Sequence, residues 1–297
     1  MIIVKLWGGM CNQMFQYAFG YALAKKHNDR LVFDVDFYAN QPGHVGKRGV
    51  IGQEQFPALK GMQFKNRSFI LKLLENKYLL YLVRYSFGLS LNLNRLFFIV
   101  EKNHKYYEIV PYKKSTITFY DGYWQSQDYF IEFNDDIRAV FEPHPEICRL
   151  AKNWRASIAN PNCVAVHVRR GDYLNPNNKK SLGAEGVVDN VKYYQDAINI
   201  IKEKYPEAMF CFFSDDIAWC KTKFSSLSNV LFVENNCKNA ALVDLVSISY
   251  CEHGIMSQSS FSWWGNWLRK NVKNTMVICP KANPGNENYF LDNWIII

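Results

Sequence analysis

The chain contains no apolar run near the ~18 residues that a membrane-spanning helix needs. Its most apolar helical stretch, Phe69 to Val83, is interrupted by Lys72, Glu75 and Lys77. The opening Met1-Ile-Ile-Val-Lys-Leu-Trp7 has no basic segment before it, so it reads as a first strand rather than a signal peptide. The eight cysteines include no CxxC pair, and Cys163, Cys211 and Cys279 lie within apolar strand-like runs. Buried, reduced thiols in a cytoplasmic protein are expected, because disulfide frameworks belong to smaller secreted chains. Walker A, HExxH and GxSxG motifs are missing, and the six histidines show no metal-ligand spacing. Internal repeats and low-complexity tracts are missing too.

What is present describes an ordinary globular chain. Hydrophobic residues make up 48% and charged residues 21%, which excludes disorder, collagen and coiled coil. Aromatics reach 16%, enough for a core with rings left over for ligand surfaces. The net charge of +8 favours anionic partners such as nucleotides, nucleic acid or an acidic membrane face.

Strand and helix signals alternate along the chain. Ile2–Leu6 is β-branched and apolar, Trp7-Gly8-Gly9-Met10 breaks it, and apolar residues recur at helical spacing from Asn12 to Lys26. A second strand follows at 30–34, which implies a parallel pair with a helical crossover. Residues 40–60 read as loop, 67–87 as helix, 96–100, 106–110 and 116–120 as short strands, and 143–158 as helix. A further helix is expected from Gln127. After Asn160-Pro-Asn162 the rhythm is cleaner: strands at 164–168, 209–213, 230–233, 254–256 and 276–279 are separated by helices. This pattern predicts parallel, doubly wound sheets and two domains, 1–158 and 159–297.

Four segments carry chemistry. His167-Val-Arg-Arg-Gly-Asp-Tyr173 leaves the carboxyl end of a strand, where open α/β sheets bind ligands. Arginine forks donate paired hydrogen bonds to phosphate. One of Arg169 and Arg170 is expected at the ligand, the other bracing the loop through Asp172; the plainer reading is a surface ion pair. Phe213-Ser-Asp-Asp216 follows another strand, where Ser214 or Asp215 caps the next helix or Asp215 meets a nucleoside. Ser257-Gln-Ser-Ser-Phe-Ser262 opens a helix whose N–H groups suit phosphate, ahead of Trp264, Trp267 and Leu268 at core spacing. Trp7-Gly8-Gly9-Met10-Cys11-Asn12 is a glycine turn without the GxGxxG fingerprint. Asp34-Val-Asp36 spells a DxD short enough to arise by chance, and no metal is expected.

Together these segments, with Gly122-Tyr-Trp-Gln-Ser126 and Ser259-Ser-Phe-Ser-Trp-Trp-Gly-Asn-Trp-Leu268, resemble the bacterial α-1,2-fucosyltransferases of glycosyltransferase family 11 over essentially the whole length. Cys11 stands where that family usually has Gly. The resemblance implies a two-domain GT-B-like α/β fold with a C-terminal Rossmann-like domain for GDP-fucose and an N-terminal acceptor side. It implies transfer to the 2-OH of a β-galactoside with inversion, in surface-glycan or O-antigen synthesis, with no metal and no cofactor beyond the donor. Arg170 and Arg169 would bind the diphosphate, with Asp215 near the nucleotide. Ser259, Ser260 and Phe261 would line the phosphate and fucose region, with Gly9 and Asn12 also on the donor side. Trp124 and Gln125 are expected at the acceptor. The base is open among Asp172, His167 and Asn12, the last able only to orient. The acceptor is a β-galactoside or a lipid-linked oligosaccharide, with peripheral contact at the cytoplasmic face of the inner membrane. Other readings are a different GDP-fucose linkage, α-1,6 or protein O-fucosyl, and a nucleic-acid-binding module built on residues 101–114.

Overall fold

The computed structural model covers the full chain and describes residues 1–39, 49–59, 64–65, 96–101, 106–108, 110–174, 190–237, 239–270, 274–281 and 287–297. The expected helix at 67–87 lies outside them. The chain forms two compact units, Met1–Glu142 and Pro143–Ile297. This division falls ahead of the expected 158/159. The helix α4, Pro145–Ala156, packs along α7, Ala240–Tyr250, so its apolar face belongs to the second unit.

The first unit holds a five-stranded parallel sheet in the order β3-β2-β1-β5-β4. Its strands are β1 (Ile2–Lys5), β2 (Leu31–Asp34), β3 (Phe64–Lys65), β4 (Leu96–Val100) and β5 (Ile117–Asp121). Residues 106, 107 and 110, expected within a strand, are irregular. Helix α1, Met10–His27, makes the crossover from β1 to β2. Asn28 ends it in the left-handed conformation, and Lys25, Lys26 and His27 oppose the negative end of its dipole. A short helix α2 follows at Asp36–Ala39. The helix expected at Gln127 is two 3-10 turns followed by α3, Asn134–Val140, because the Ser126 hydroxyl accepts the Asp128 N–H and starts a tight turn.

Helix α1 buries polar as well as apolar residues. Gln13 and Gln16 are both 0% exposed. Gln16 accepts the Trp7 N–H at 3.0 Å and donates to the Gly122 carbonyl at 3.1 Å. Gln13 donates to the Gly49 carbonyl and accepts the Ile51 N–H. Each glutamine satisfies one backbone donor and one backbone acceptor, which a buried loop cannot leave unpaired. They tie three loops to one helix.

The second unit holds a six-stranded parallel sheet in the order β11-β10-β9-β6-β7-β8. Its strands are β6 (Cys163–Val168), β7 (Met209–Ser214), β8 (Val230–Phe232), β9 (His253–Ile255), β10 (Val277–Cys279) and β11 (Ile295–Ile296). All six residues of β6 are buried, as expected for a central parallel strand covered on both faces. On one face Val164, Val166, Phe210 and Phe212 pack with Tyr194, Ile198 and Ile201 of α5 (Val191–Lys204) and Phe224 of α6 (Ile217–Phe224). On the other, Ala165, Cys211 and Phe213 pack with Ile248 of α7 and with Trp154. Helix α8, Ser260–Trp267, buries Trp263, Trp264 and Trp267, so the expected stripe of Trp264, Trp267 and Leu268 is buried at its two tryptophans and half-buried at Leu268. The eight cysteines are free thiols, with Cys163, Cys211 and Cys279 buried as their strand positions predict.

Replacing Gln16 with Leu preserves bulk but strands a buried N–H and a buried C=O, each costing about 1–3 kcal/mol. The Gln16→Leu variant is expected to melt several degrees below wild type by differential scanning calorimetry. An unchanged melting temperature would show that the clips do not hold the unit.

Candidate active site

Strands β9, β6 and β7 lie side by side in the second unit, so their carboxyl ends present three segments together. After β6 come Arg169, Arg170 and a 3-10 turn, Gly171–Leu174. After β7 come Asp215 and Asp216. After β9 comes the serine-rich turn into α8.

The two arginines and two aspartates form one cluster. Arg169 Nη1 lies 2.5 Å from Asp215 Oδ2, and the Arg170 backbone N–H donates to Asp215 Oδ1 at 2.9 Å. Arg170 Nε donates to Asp216 Oδ2 at 3.0 Å, and its guanidinium carbon sits 4.1 Å from the Trp219 ring centre. The other oxygen of Asp216 accepts the Trp219 N–H at 3.1 Å and caps α6. The cap is therefore Asp216, not Ser214 or Asp215, and both arginine side chains pair across to the next strand end. The loop brace expected through Asp172 is not the one these bonds supply; the Asp172 side chain lies outside the described residues. Arg170 is the more enclosed, with 9% of its side chain exposed against 28% for Arg169. Gly171 lets the strand ends meet: a Cβ there would stand 2.4 Å from Asp215 Oδ2.

His167 is 6% exposed, and its Nδ1 lies 2.8 Å from Ser257 Oγ and 3.0 Å from Ser262 Oγ. Its ring stacks on Phe261 at 5.0 Å. Burial, reinforced by the Arg169 charge, pushes its pKa down to about 3, so it is neutral at pH 7. A neutral, engaged imidazole orders the turn, and so weak a base gives little drive to proton transfer. Ser259 caps α8 by accepting the Phe261 N–H. Ser260 begins the helix, and both it and Phe261 are partly exposed. Gln258 is 9% exposed, and its side-chain oxygen is buried without a hydrogen-bond partner. Its carbonyl receives the Tyr173 hydroxyl at 3.0 Å.

In the first unit the carboxyl ends of β1 and β5 carry the other predicted residues. Gly8 has φ +81, which opens the turn into α1, and Gly9 precedes the helix in extended conformation. Cys11 lies within the first turn of α1 and is 4% exposed, so the departure from Gly falls in the helix and not in the glycine turn. Asn12 accepts from the Gln125 amide at 3.1 Å. Trp124 is not available to a sugar face: it is 0% exposed and stacked on Phe19 at 4.1 Å. The rings at this strand end are Trp7 and Tyr123, stacked at 4.0 Å and partly exposed. Glu101 holds the turn, accepting the Tyr123 N–H at 2.6 Å and the Trp124 N–H at 3.1 Å. Burial pushes its pKa up to about 7.

The fold thus gathers His167, Arg169, Arg170, Asp215, Ser259, Ser260 and Phe261 in one unit. Gly9, Asn12 and Gln125 sit at the strand ends of the other. Reasoning from sequence passed over Asp216, Trp219 and Gln258, and also Trp7, Tyr123 and Glu101. Asp216 and Trp219 carried a signal, a capping Asp three residues before an aromatic after a strand. Glu101 carried none. Asp34 accepts the Asp36 N–H at 3.0 Å. Among the described residues, no group of three or more His, Cys, Asp or Glu is placed to hold a metal ion.

Residues 94–297 match the family described as glycosyl transferase family 11. An Escherichia coli α-1,2-colitosyltransferase is 35% identical over 94% of this chain and 91% of its own length. This chain belongs to glycosyltransferase family 11. The E. coli O-antigen biosynthesis glycosyltransferase WbnK is 27% identical over 98% of both chains. Bos taurus galactoside α-(1,2)-fucosyltransferase 2 is 29% identical over 50% of this chain and 44% of its own. Among solved structures, the fucosyltransferase NodZ from Bradyrhizobium matches with TM-score 0.50 at 13% identity, covering 89% of this chain and 92% of that one. Arabidopsis thaliana FUT1 in complex with GDP matches with TM-score 0.52 at 12% identity, covering 96% and 71%. At such identity these structures establish the fold, which is GT-B-like.

Two predictions rest on this geometry. In Gly171→Ala the new Cβ displaces the Asp215 carboxylate, opening its pair with Arg169 and its bond from the Arg170 N–H, so the melting temperature is expected to fall by several degrees. An unchanged melting temperature would show that the strand ends do not need this contact. Glu101 binds its proton more tightly folded than unfolded, so its contribution is fully present below the unfolded pKa of ~4.3 and declines as pH rises towards 7. The decline amounts to at most about 4 kcal/mol at 1.36 kcal/mol per pH unit. Glu101→Gln is expected to flatten the loss of thermal stability between pH 4.5 and 7; a parallel pH profile would rule this out.

Proposed function

We propose that this family 11 enzyme transfers L-fucose from GDP-β-L-fucose to the 2-OH of a terminal β-galactoside, inverting the anomeric centre. The observation that carries the reading is the Arg169–Arg170 pair, held by Asp215 and Asp216 at a strand end beside the N-terminus of α8. As the C1–O bond breaks, the GDP diphosphate takes the electron pair. Preorganised guanidinium and helix N–H donors stabilise that charge as it develops. The acceptor 2-oxygen attacks C1 from the opposite face, and its proton passes to a base. We assign the base to Asp172, because His167 is neutral and engaged and Asn12 is an amide. Ser259, Ser260 and Phe261 would line the phosphate and sugar, and Gly9 and Asn12 would approach the donor. Gln125, with the Trp7–Tyr123 ring pair in place of Trp124, would meet the acceptor.

The α-1,2 linkage is favoured over α-1,6 or protein O-fucosylation by the names of the sequence relatives. The 12–13% identical structural neighbours of this chain speak only to fold. The nucleic-acid reading rests on residues 101–114, of which 102–105 and 109 lie outside the described residues, while Tyr106 and Tyr107 lie beside Tyr129 and Trp124. A second reading of the donor is GDP-colitose, favoured by the 35% identity to a colitosyltransferase. Colitose is fucose without its 3-hydroxyl. A site built to hydrogen-bond that hydroxyl rejects the deoxy sugar strongly, whereas one built for the deoxy sugar discriminates weakly. A role in surface-glycan or O-antigen synthesis, on a lipid-linked acceptor at the cytoplasmic membrane face, completes the proposal. No helix among the described residues is long and apolar enough to cross a membrane.

The test is GDP release from GDP-fucose and from GDP-colitose, with and without lactose, in excess EDTA. Lactose-dependent release from GDP-fucose under EDTA is expected; preference for GDP-colitose would reassign the donor, and a manganese requirement would revive Asp34 and Asp36. Arg170→Ala is expected to lower kcat/KM by two to three orders of magnitude, about 3–4 kcal/mol. Arg170→Lys is expected to recover little, because the fork to Asp216 and the stack on Trp219 need a guanidinium.

A further inference from the structure

The first unit contains a cleft of about 260 Å³ away from the strand ends just described. Its floor is the second half of α1, with Phe19, Ala22 and Leu23 each under 9% exposed. That places it about 10–20 Å along the helix from Asn12 at 1.5 Å per residue. Tyr106, Tyr129 and Phe133 supply aromatic walls, Tyr106 and Tyr129 lying 5.0 Å apart at 45°. Glu108, Asp128 and Glu132 stand at the rim with Lys26, whose Nζ is 3.5 Å from Glu132.

We propose that this cleft is a secondary binding site for a neutral sugar unit of a glycan chain, distinct from the site of transfer. Aromatic rings shed water readily against the apolar C–H face of a pyranose, while carboxylates accept from its hydroxyls at the edge. The cleft has both, on opposite levels: rings within, charges at the mouth. Its volume lies just below the ~300 Å³ at which drug-sized pockets begin, room for one or two sugar rings. The acidic rim repels phosphate and sulfate. An organic cation would meet Lys26 at the mouth, whereas a polyol can donate to Asp128 and Glu108 and accept from Lys26. Burial, with the charges of Asp128 and Glu108, keeps the Tyr106 hydroxyl protonated and able to donate. The inference rests on the reading of this enzyme as one that glycosylates a glycan: such a site would retain a long acceptor between encounters.

The experiment is saturation-transfer difference NMR on the full chain with lacto-N-neotetraose, maltotetraose and cellotetraose, in the presence of excess lactose. At least one tetrasaccharide is expected to show saturation that lactose does not remove. Tyr106→Ala is expected to abolish that signal and Tyr106→Phe to retain it, both with wild-type melting temperature and wild-type transfer to lactose. No signal from any tetrasaccharide, complete displacement by lactose, or a signal indifferent to Tyr106→Ala would overturn the proposal. Saturation of choline in place of the sugars would overturn it too, giving the rings to a cation. Because binding is read without turnover, its failure is separable from failure of the transfer assay.

Discussion

Two arginines side by side at a strand end repel one another unless something fixes them. Here Asp215 and Asp216 do so, at 2.5 Å from Arg169 and 3.0 Å from Arg170. The four charges cancel locally, so the site is organised before any anion arrives. Each aspartate has a second attachment that prevents it from drifting. Asp215 takes the Arg170 backbone N–H, and Asp216 takes the Trp219 N–H in the first turn of α6. The result is a pair of guanidinium groups tied to the strand end of β7 and the start of α6. Preorganisation of this kind is what allows a charge developing on a leaving group to be met without rearrangement.

The same economy appears in how the turns are held. His167 binds two serine hydroxyls and orders the approach to α8. Gln16 and Glu101 clamp the turns around Trp7 and Tyr123 through backbone groups. In both units an uncharged or partly protonated buried side chain positions the loop that does the contacting. Burial explains the choice: an ionised imidazole or carboxylate in these places would carry a desolvation penalty with no partner charge to offset it.

Membership of family 11 and the GT-B-like fold agree with this picture. The two donor sugars weighed above differ by a single hydroxyl. In the serine-rich turn after β9, Gln258 keeps a buried side-chain oxygen without a hydrogen-bond partner.

Alternating periodicity was enough to read the parallel sheets from sequence, because β6 and its neighbours are buried on both faces and leave continuous apolar runs. The strand-end motifs were legible for the same reason, since the chain must turn where a strand runs out. Partnerships across strands were not legible. Arg169 and Arg170 each lie 46 residues from the aspartate that pairs with their side chain, Asp215 and Asp216. A local reading looks only to Asp172 nearby, because sequence shows separation along the chain and not across a sheet. Trp124 likewise looked like a sugar platform from its place in Gly122-Tyr-Trp-Gln-Ser126. Only the packing of α1 against that turn, with Phe19 stacked on the indole, put it in the core and left Tyr123 and Trp7 outside. Residue type and periodicity determined which elements form and where the chain turns at the strand ends; the side on which each ring and charge finally lies was decided by tertiary contacts.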